Sequence, residues 1–147
     1  MKIYFDACCV NRLTDDQSHQ RIRAEAESIE AILENVRQGT IAWVISPVLT
    51  EEIQRSPQIE RRRENGALLA LATSAIEVSD QVLIRARQLE AAGYGGYDAL
   101  HLACAEAGRV DVLLTTDDKF VKRAARGEGT PLVPVRNPVF WLEETPL

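Results

Sequence analysis

Apolar positions along the chain come in two alternating patterns: short unbroken runs rich in β-branched and aromatic residues, and longer stretches where apolar residues return every three or four positions. KIYF at residues 2–5 is the first short run; it predicts a buried strand ending at Asp6, followed by a turn over residues 7–13. Ile22, Ala26, Ile29, Leu33 and Val36 then keep helical spacing, which predicts a long helix over residues 18–38, with Gly39 where helices often stop. TIAWVI at 40–45 predicts a second strand. Ser46 and Pro47 mark a helix start: the hydroxyl caps free amides, and proline at the first helical position lacks only a donor that the helix does not use. Glu51 and Glu52 fall in its second turn.

The same reading predicts a helix over 59–73, weakened by Gly66, a brief strand at 75–78, and a helix from Ser79 through Ala91. Residues 93–96 (GYGG) read as a loop. Residues 98–107 (DALHLACAEA) are apolar on nearly all sides, the signature of a buried helix. A strand at 110–115, a basic helix at 116–125, a short strand at 132–135 and a final turn from Pro138, capped by Asn137, complete the chain. Strands alternating with helices imply right-handed crossovers and a mainly parallel sheet covered on both faces, an α/β fold expected to form one domain over residues 1–147. In such folds the strand C-termini and the N-termini of the following helices share one edge, where ligands bind.

Four acids fall on that edge: Asp6, Glu52, Asp98 and Asp117. Asp6 lies in an apolar stretch, where an unpaired carboxylate costs several kcal/mol or protonates, so function explains it better than capping a turn. Asp98 and Asp117, taken singly, read as helix caps. Glutamates in an early helical turn are common, so Glu51 and Glu52 carry less. Convergence raises the functional reading, because three or four carboxylates repel one another unless a cation joins them. Mg2+ or Mn2+ takes oxygen ligands, keeps several waters and leaves positions for phosphate oxygens. His101, three residues after Asp98, is placed to bond that carboxylate, with a satisfied core histidine as the plainer role. No Ser-His-Asp, Cys-His, Walker or dinucleotide pattern competes.

Bulk properties narrow the classes. A composition 46% hydrophobic and 27% charged, with mean hydropathy −0.16, suits an ordinary globular protein. No apolar run approaches the roughly 20 residues that span a bilayer, and the N-terminus lacks a signal-peptide core, so the expectation is a cytoplasmic protein without membrane attachment. Cys8, Cys9 and Cys104 have no zinc-type spacing and read as buried free thiols. The net charge of −5 argues against broad attraction to nucleic acid and leaves only local basic groups: Arg61 to Arg63, the Lys119, Lys122, Arg123 and Arg126 series, and Arg12, Arg21 and Arg23. Singly, each of these reads as a solvated helix face.

The strand ending in Asp6, Glu52-Ile53, the segment YDALHLA at 97–103, LTTDDKF at 114–120 and the ending NPVFWL at 137–142 together resemble a PIN domain along nearly the whole chain. The resemblance implies a three-layer α/β/α fold with a five-stranded parallel sheet. It also implies metal-dependent endoribonuclease activity with Mg2+ or Mn2+, often as the toxin of a VapC-type toxin-antitoxin pair. RNA would be the substrate; a protein antitoxin and a homodimer are the admitted partners. Carried over by position, Asp6, Glu52, Asp98 and Asp117 form the catalytic and metal-binding set. The family pattern prefers Glu52 to Glu51, since Ile follows it, and Asp117 to Asp118, since T-x-D-x-x-F fits Thr115, Asp117 and Phe120. Many members have Thr or Ser directly after the first Asp and another polar residue next; Ala7 and Cys8 stand there, leaving Asn11 and Arg12 as substitutes for a missing hydroxyl contact.

The competing reading is a noncatalytic protein-interaction module whose acids only cap helices. A phosphatase or phosphoacceptor fold also begins with a strand ending in Asp, but it wants a second acid where Cys8 stands, or an acid pair there.

Overall fold

A computed structural model describes residues Met1–Leu147. Five strands, β1 (Lys2–Phe5), β2 (Ala42–Ile45), β3 (Ser74–Ala75), β4 (Val112–Leu114) and β5 (Val135–Arg136), form one sheet in the order β3-β2-β1-β4-β5. Every neighbouring pair is parallel. Eight α-helices connect and flank them: α1 (Ala7–Arg12), α2 (Gln20–Arg37), α3 (Pro47–Gln54), α4 (Ile59–Leu68), α5 (Asp80–Ala91), α6 (Gly96–Ala107), α7 (Asp118–Ala125) and α8 (Pro138–Glu144). The architecture is the three-layer α/β/α sandwich expected from the sequence.

Side chains alternate across a strand, so each central strand feeds two cores. Ile3, Phe5, Trp43, Val112 and Leu114 project to the face packed by Cys9 and Val10 of α1, Ile29, Ile32 and Leu33 of α2, and Trp141 of α8. Tyr4, Val44 and Leu113 project to the other face, against Val82, Ala86 and Leu89 of α5, Leu102 and Ala103 of α6 and Phe120 of α7. Burial on both faces is why these strands read as continuous apolar runs. It is also why α6 is apolar nearly all round: Ala99, His101, Leu102, Ala103, Cys104 and Ala105 are all buried. Gly108 ends α6 where a Cβ would meet Val44 Cγ1 at 3.2 Å and Ile76 Cγ2 at 3.3 Å, so only glycine lets the helix end lie this close to the sheet.

The boundaries depart from expectation for local reasons. Residues 7–12 form a helix, α1, where a turn was predicted, because Asp6 caps it. α4 stops at Leu68 and tightens into a 3-10 turn over Leu69–Leu71. The third and fourth strands shorten to Ser74–Ala75 and Val112–Leu114, and α6 starts at Gly96, so that Asp98 sits inside its first turn. The last strand begins at Val135 instead of residue 132: Pro134 has no N–H to donate, and its carbonyl accepts from Leu113. All three cysteines are free, but Cys8 is exposed, contrary to the expected burial of all three.

One buried carboxylate was not anticipated. Glu25 on α2 is 1% exposed and accepts from Arg12 Nε (2.9 Å), Arg21 Nε (3.4 Å) and Asn137 Nδ2 (2.6 Å), tying α1, α2 and the start of α8 together. Glu25→Ala leaves a buried amide and a guanidinium without their acceptor. It is expected to lower the urea unfolding free energy by about 3 kcal/mol, with Glu25→Gln costing less because its carbonyl oxygen still accepts from Asn137.

Candidate functional site

Asp6 follows the last residue of β1, and its N–H still donates to Leu114 of β4 at 3.2 Å, so backbone pairing fixes its position. Its side chain, 2% exposed, accepts from Cys9 N–H (3.2 Å) through Oδ1 and from Thr115 Oγ–H (2.5 Å) through Oδ2. Asp6 is therefore both a helix cap and a buried carboxylate, two roles that the sequence reading set against each other.

Thr115 follows β4, and its Oγ also accepts from Asp117 N–H at 3.1 Å. Asp117 caps α7 through Oδ1, which accepts from Lys119 N–H (2.9 Å) and Phe120 N–H (3.3 Å), while Phe120 enters the core. The T-x-D-x-x-F spacing thus sets a hydroxyl on Asp6, a cap on α7 and an anchor beneath it. Asp118 turns away to Arg21, with bonds of 2.9 and 2.8 Å.

On α3, Ser46 caps the helix and Pro47 occupies its first turn, as expected. Glu52 points inward and bonds Nε2 of His101, whereas Glu51 pairs outward with Arg55 at 2.7 Å. His101 is the satisfied, buried histidine of the plainer reading; the bond to Asp98 that its spacing allowed is not made, and it reaches Glu52 instead, with its Nδ1 2.6 Å from Tyr4 Oη. Asp98, read singly as a cap, caps nothing: α6 has no side-chain cap, and the half-buried Asp98 carboxylate has no hydrogen-bond partner.

The electrostatics link the four acids. Asp98 is pushed up to about 7, by burial first and then by Asp6 and Asp117, with Glu52 adding and His101 opposing. Asp6 is pushed up to about 6 by burial, against the opposing pull of His101 and the bonds from Thr115 and Cys9. The Cys8 thiol, desolvated although the residue as a whole is exposed, is raised further by Asp6, Asp117, Asp98 and Glu52. The fields of all four carboxylates fall on one region at the C-terminal edge of the sheet.

The sequence of residues 3–126 matches the PIN domain. The chain belongs to the PIN domain family. Its fold is similar to those in a crystal structure of VapBC2 from Rickettsia felis bound to a fragment of promoter DNA (TM-score 0.59, 16% identity, covering 93% of this chain and 98% of that one). It is equally similar to a structure of VapBC-1 from nontypeable Haemophilus influenzae (TM-score 0.60, 17% identity, 94% and 98%). No curated protein matches the chain by sequence.

In this PIN domain residues 7 and 8 bring no hydroxyl, and the one hydroxyl bonded to Asp6 is that of Thr115, from the T-x-D-x-x-F segment after β4. Asn11 and Arg12 do not substitute for the missing contact: Asn11 Oδ1 accepts from Asn65, and Arg12 pairs with Asp15 and Glu25. The donors facing the shared region are hard carboxylate oxygens, two of them, on Asp6 and Asp98, raised by burial and by neighbouring carboxylates, which is the chemistry that a small divalent cation relieves. No three of these side chains stand close enough to form a ligand set by themselves. An open cleft of ≈ 710 Å³, lined by Arg12, His19, Arg21, Thr116, Asp117, Asp118 and Lys119, leads away from Asp117. Arg12 and Arg21 are already paired with acids, and Arg61, expected among solvated cations, is held by Asp15 and Thr14. No helix is long and apolar enough to cross a membrane.

The raised carboxylates give the cation-free protein a definite pH dependence. Asp6 and Asp98 keep protons in the folded state up to about pH 6 and 7, while the unfolded chain releases them near 3.8. Their contribution to stability is full below pH 4 and is lost as pH rises through 6 to 7. Without divalent cations, the melting temperature relative to Asp98→Asn is therefore expected to fall between pH 5 and 8, leaving the variant about 2–5 °C the more stable at pH 8. Differential scanning calorimetry across that range checks it.

Proposed function

We propose that this PIN domain, acting as a single unit over residues 1–147, is a divalent-cation-dependent endoribonuclease that hydrolyses RNA phosphodiester bonds. The observation carrying this reading is Asp98, a half-buried carboxylate with no hydrogen-bond partner within the protein, raised by burial first and then by the three other acids at the sheet edge. Caps and structural ion pairs engage their carboxylates with protein groups; Asp98 is left open at the place where α/β folds bind ligands.

In this reading Asp6, Glu52, Asp98 and Asp117 hold Mg2+ or Mn2+. When bound, such a cation polarises phosphate oxygens and eases deprotonation of water. The protein's own groups do the rest. Thr115 fixes Asp6 and, through the Asp117 N–H, the start of α7, while His101 holds one oxygen of Glu52 and leaves the other free. Lys119, which enters no ion pair and lines the cleft beside Asp117, is placed to neutralise a phosphate. That the two structural relatives are VapBC structures supports a protein antitoxin as partner, and the setting we propose is that of a toxin acting in the cytoplasm; a small adjacent gene for a DNA-binding protein would bear this out.

The noncatalytic reading draws on the capping bonds of Asp6 and Asp117, but it leaves Asp98 without a purpose. Incubating the purified protein with mixed-sequence RNA and Mn2+ separates the two. Cleavage is expected, with Asp6→Asn and Asp98→Asn each reducing it by about 10²-fold or more. Mn2+ at about a hundred times its dissociation constant is expected to stabilise the wild type by about 2.7 kcal/mol. Cleavage surviving in both variants would sink the nuclease assignment, and the absence of any thermal shift at millimolar Mn2+ would favour the interaction module.

A further inference from the structure

Behind Glu52 runs a closed chain of buried hydrogen bonds. His101, 1% exposed, lies between Tyr4 (ring centroids 5.5 Å apart, tilted 60°) and Tyr97 (6.4 Å, 29°), so its ring plane is held from two sides. Tyr4 Oη lies 2.6 Å from His101 Nδ1 and 2.6 Å from Ser46 Oγ, which in turn accepts from Leu49 N–H at 3.3 Å. Glu52 completes the path at His101 Nε2. Ser46 caps the helix that carries Glu52, so the chain leaves α3 at its N-terminus, crosses β1 and α6, and returns to α3 one turn further on.

The protons in this path have one arrangement in which each is donated to an oxygen or nitrogen of the path. An ionised Glu52 only accepts, so His101 Nε2–H donates to it. With the ring neutral, Nδ1 accepts from Tyr4 Oη–H, Tyr4 Oη accepts from Ser46 Oγ–H, and Ser46 Oγ accepts from Leu49 N–H. A charged ring would still donate to Glu52, but it would turn Tyr4 Oη–H onto Ser46, whose own hydroxyl proton would then be left only the weakly accepting thiol of Cys104. Either form keeps Nε2–H on the carboxylate. The three elements joined here each carry an acid of the site: Asp6 two residues after Tyr4, Asp98 three before His101, and Glu52 itself.

We propose that His101, oriented by Tyr4 and Ser46, is a positioning residue that fixes one oxygen of Glu52 and thereby aims the other at the cation held with Asp6, Asp98 and Asp117. The proposal rests on the cation reading above. Its physical basis is preorganisation: a glutamate has several rotamers, and a ligand whose rotamer is set before binding loses less freedom on binding.

Calorimetric titration with Mn2+ at a temperature well below unfolding tests it, beside urea unfolding of the same variants. Tyr4→Phe removes one hydroxyl far from the cation, and His101→Leu removes the donor itself; each is expected to weaken Mn2+ binding about tenfold or more. His101→Gln, whose Nε2 amide again donates to Glu52, is expected to recover most of that loss whatever its urea midpoint, which a merely structural histidine would not do. Long-range proton–nitrogen NMR of the wild type, where His19 is the sole other histidine, is expected to show His101 as the Nε2–H tautomer. Wild-type Mn2+ affinity in both Tyr4→Phe and His101→Leu, or an Nδ1–H tautomer, overturns the proposal. If the wild type binds no Mn2+, the cation reading falls, and the tautomer still decides whether the hydrogen-bond chain exists.

Discussion

Repulsion among carboxylates held at one edge of a parallel sheet is the constraint around which this protein is arranged. The strands cannot splay to relieve it, because each central strand is buried on both faces by helices and paired on both sides by neighbours. The acids sit where strands end and helices begin, on backbone whose own hydrogen bonds leave little freedom to retreat. Burial first, and repulsion after it, therefore raise the carboxylates of Asp6 and Asp98, repulsion weighing more at Asp98.

Two polar networks hold these like charges in register. Thr115 bonds Asp6 and receives the N–H of Asp117, so the ends of β1 and β4 and the start of α7 move as one piece. The Ser46, Tyr4, His101 and Glu52 path does the same for β1, α3 and α6. Asp6 belongs to the first network and follows the β1 tyrosine of the second. Asp98 alone is bonded by neither, and it is the acid most strongly raised. Away from the site, Glu25 serves as a third anchor, pairing with Arg12 and Arg21 and so offsetting the charge of two cations that line the cleft.

Relatives sharing only 16% and 17% identity keep the fold over nearly the full chain. The pattern accounts for that tolerance: alternation along strands and three- or four-residue spacing along helices specify which faces are buried, and many apolar residues satisfy either demand. Polar contacts tolerate less: Thr115, part of the T-x-D-x-x-F segment, bonds the first acid from the loop after the neighbouring strand, a contact that few other side chains could make there.

Local patterning determined the order of strands and helices, the parallel sheet, the caps at Ser46, Ser79 and Asn137, and the grouping of four acids on one edge, since each depends on neighbours within a few residues or on the handedness of crossovers. Strand limits slipped by one to three residues because pairing needs a partner as well as an apolar run, and Pro134 shows how one missing N–H moves an end. Tertiary structure alone decided which acid faces inward. Nothing local distinguishes Glu51 from Glu52 except helical phase, and that phase acquires meaning only when His101, 49 residues later, arrives beside one of them. The same holds for Asp98 and Asp6: a carboxylate's partners are set by long-range packing, so the sequence could place both acids on one sheet edge but not show that one accepts two hydrogen bonds within the protein and the other none.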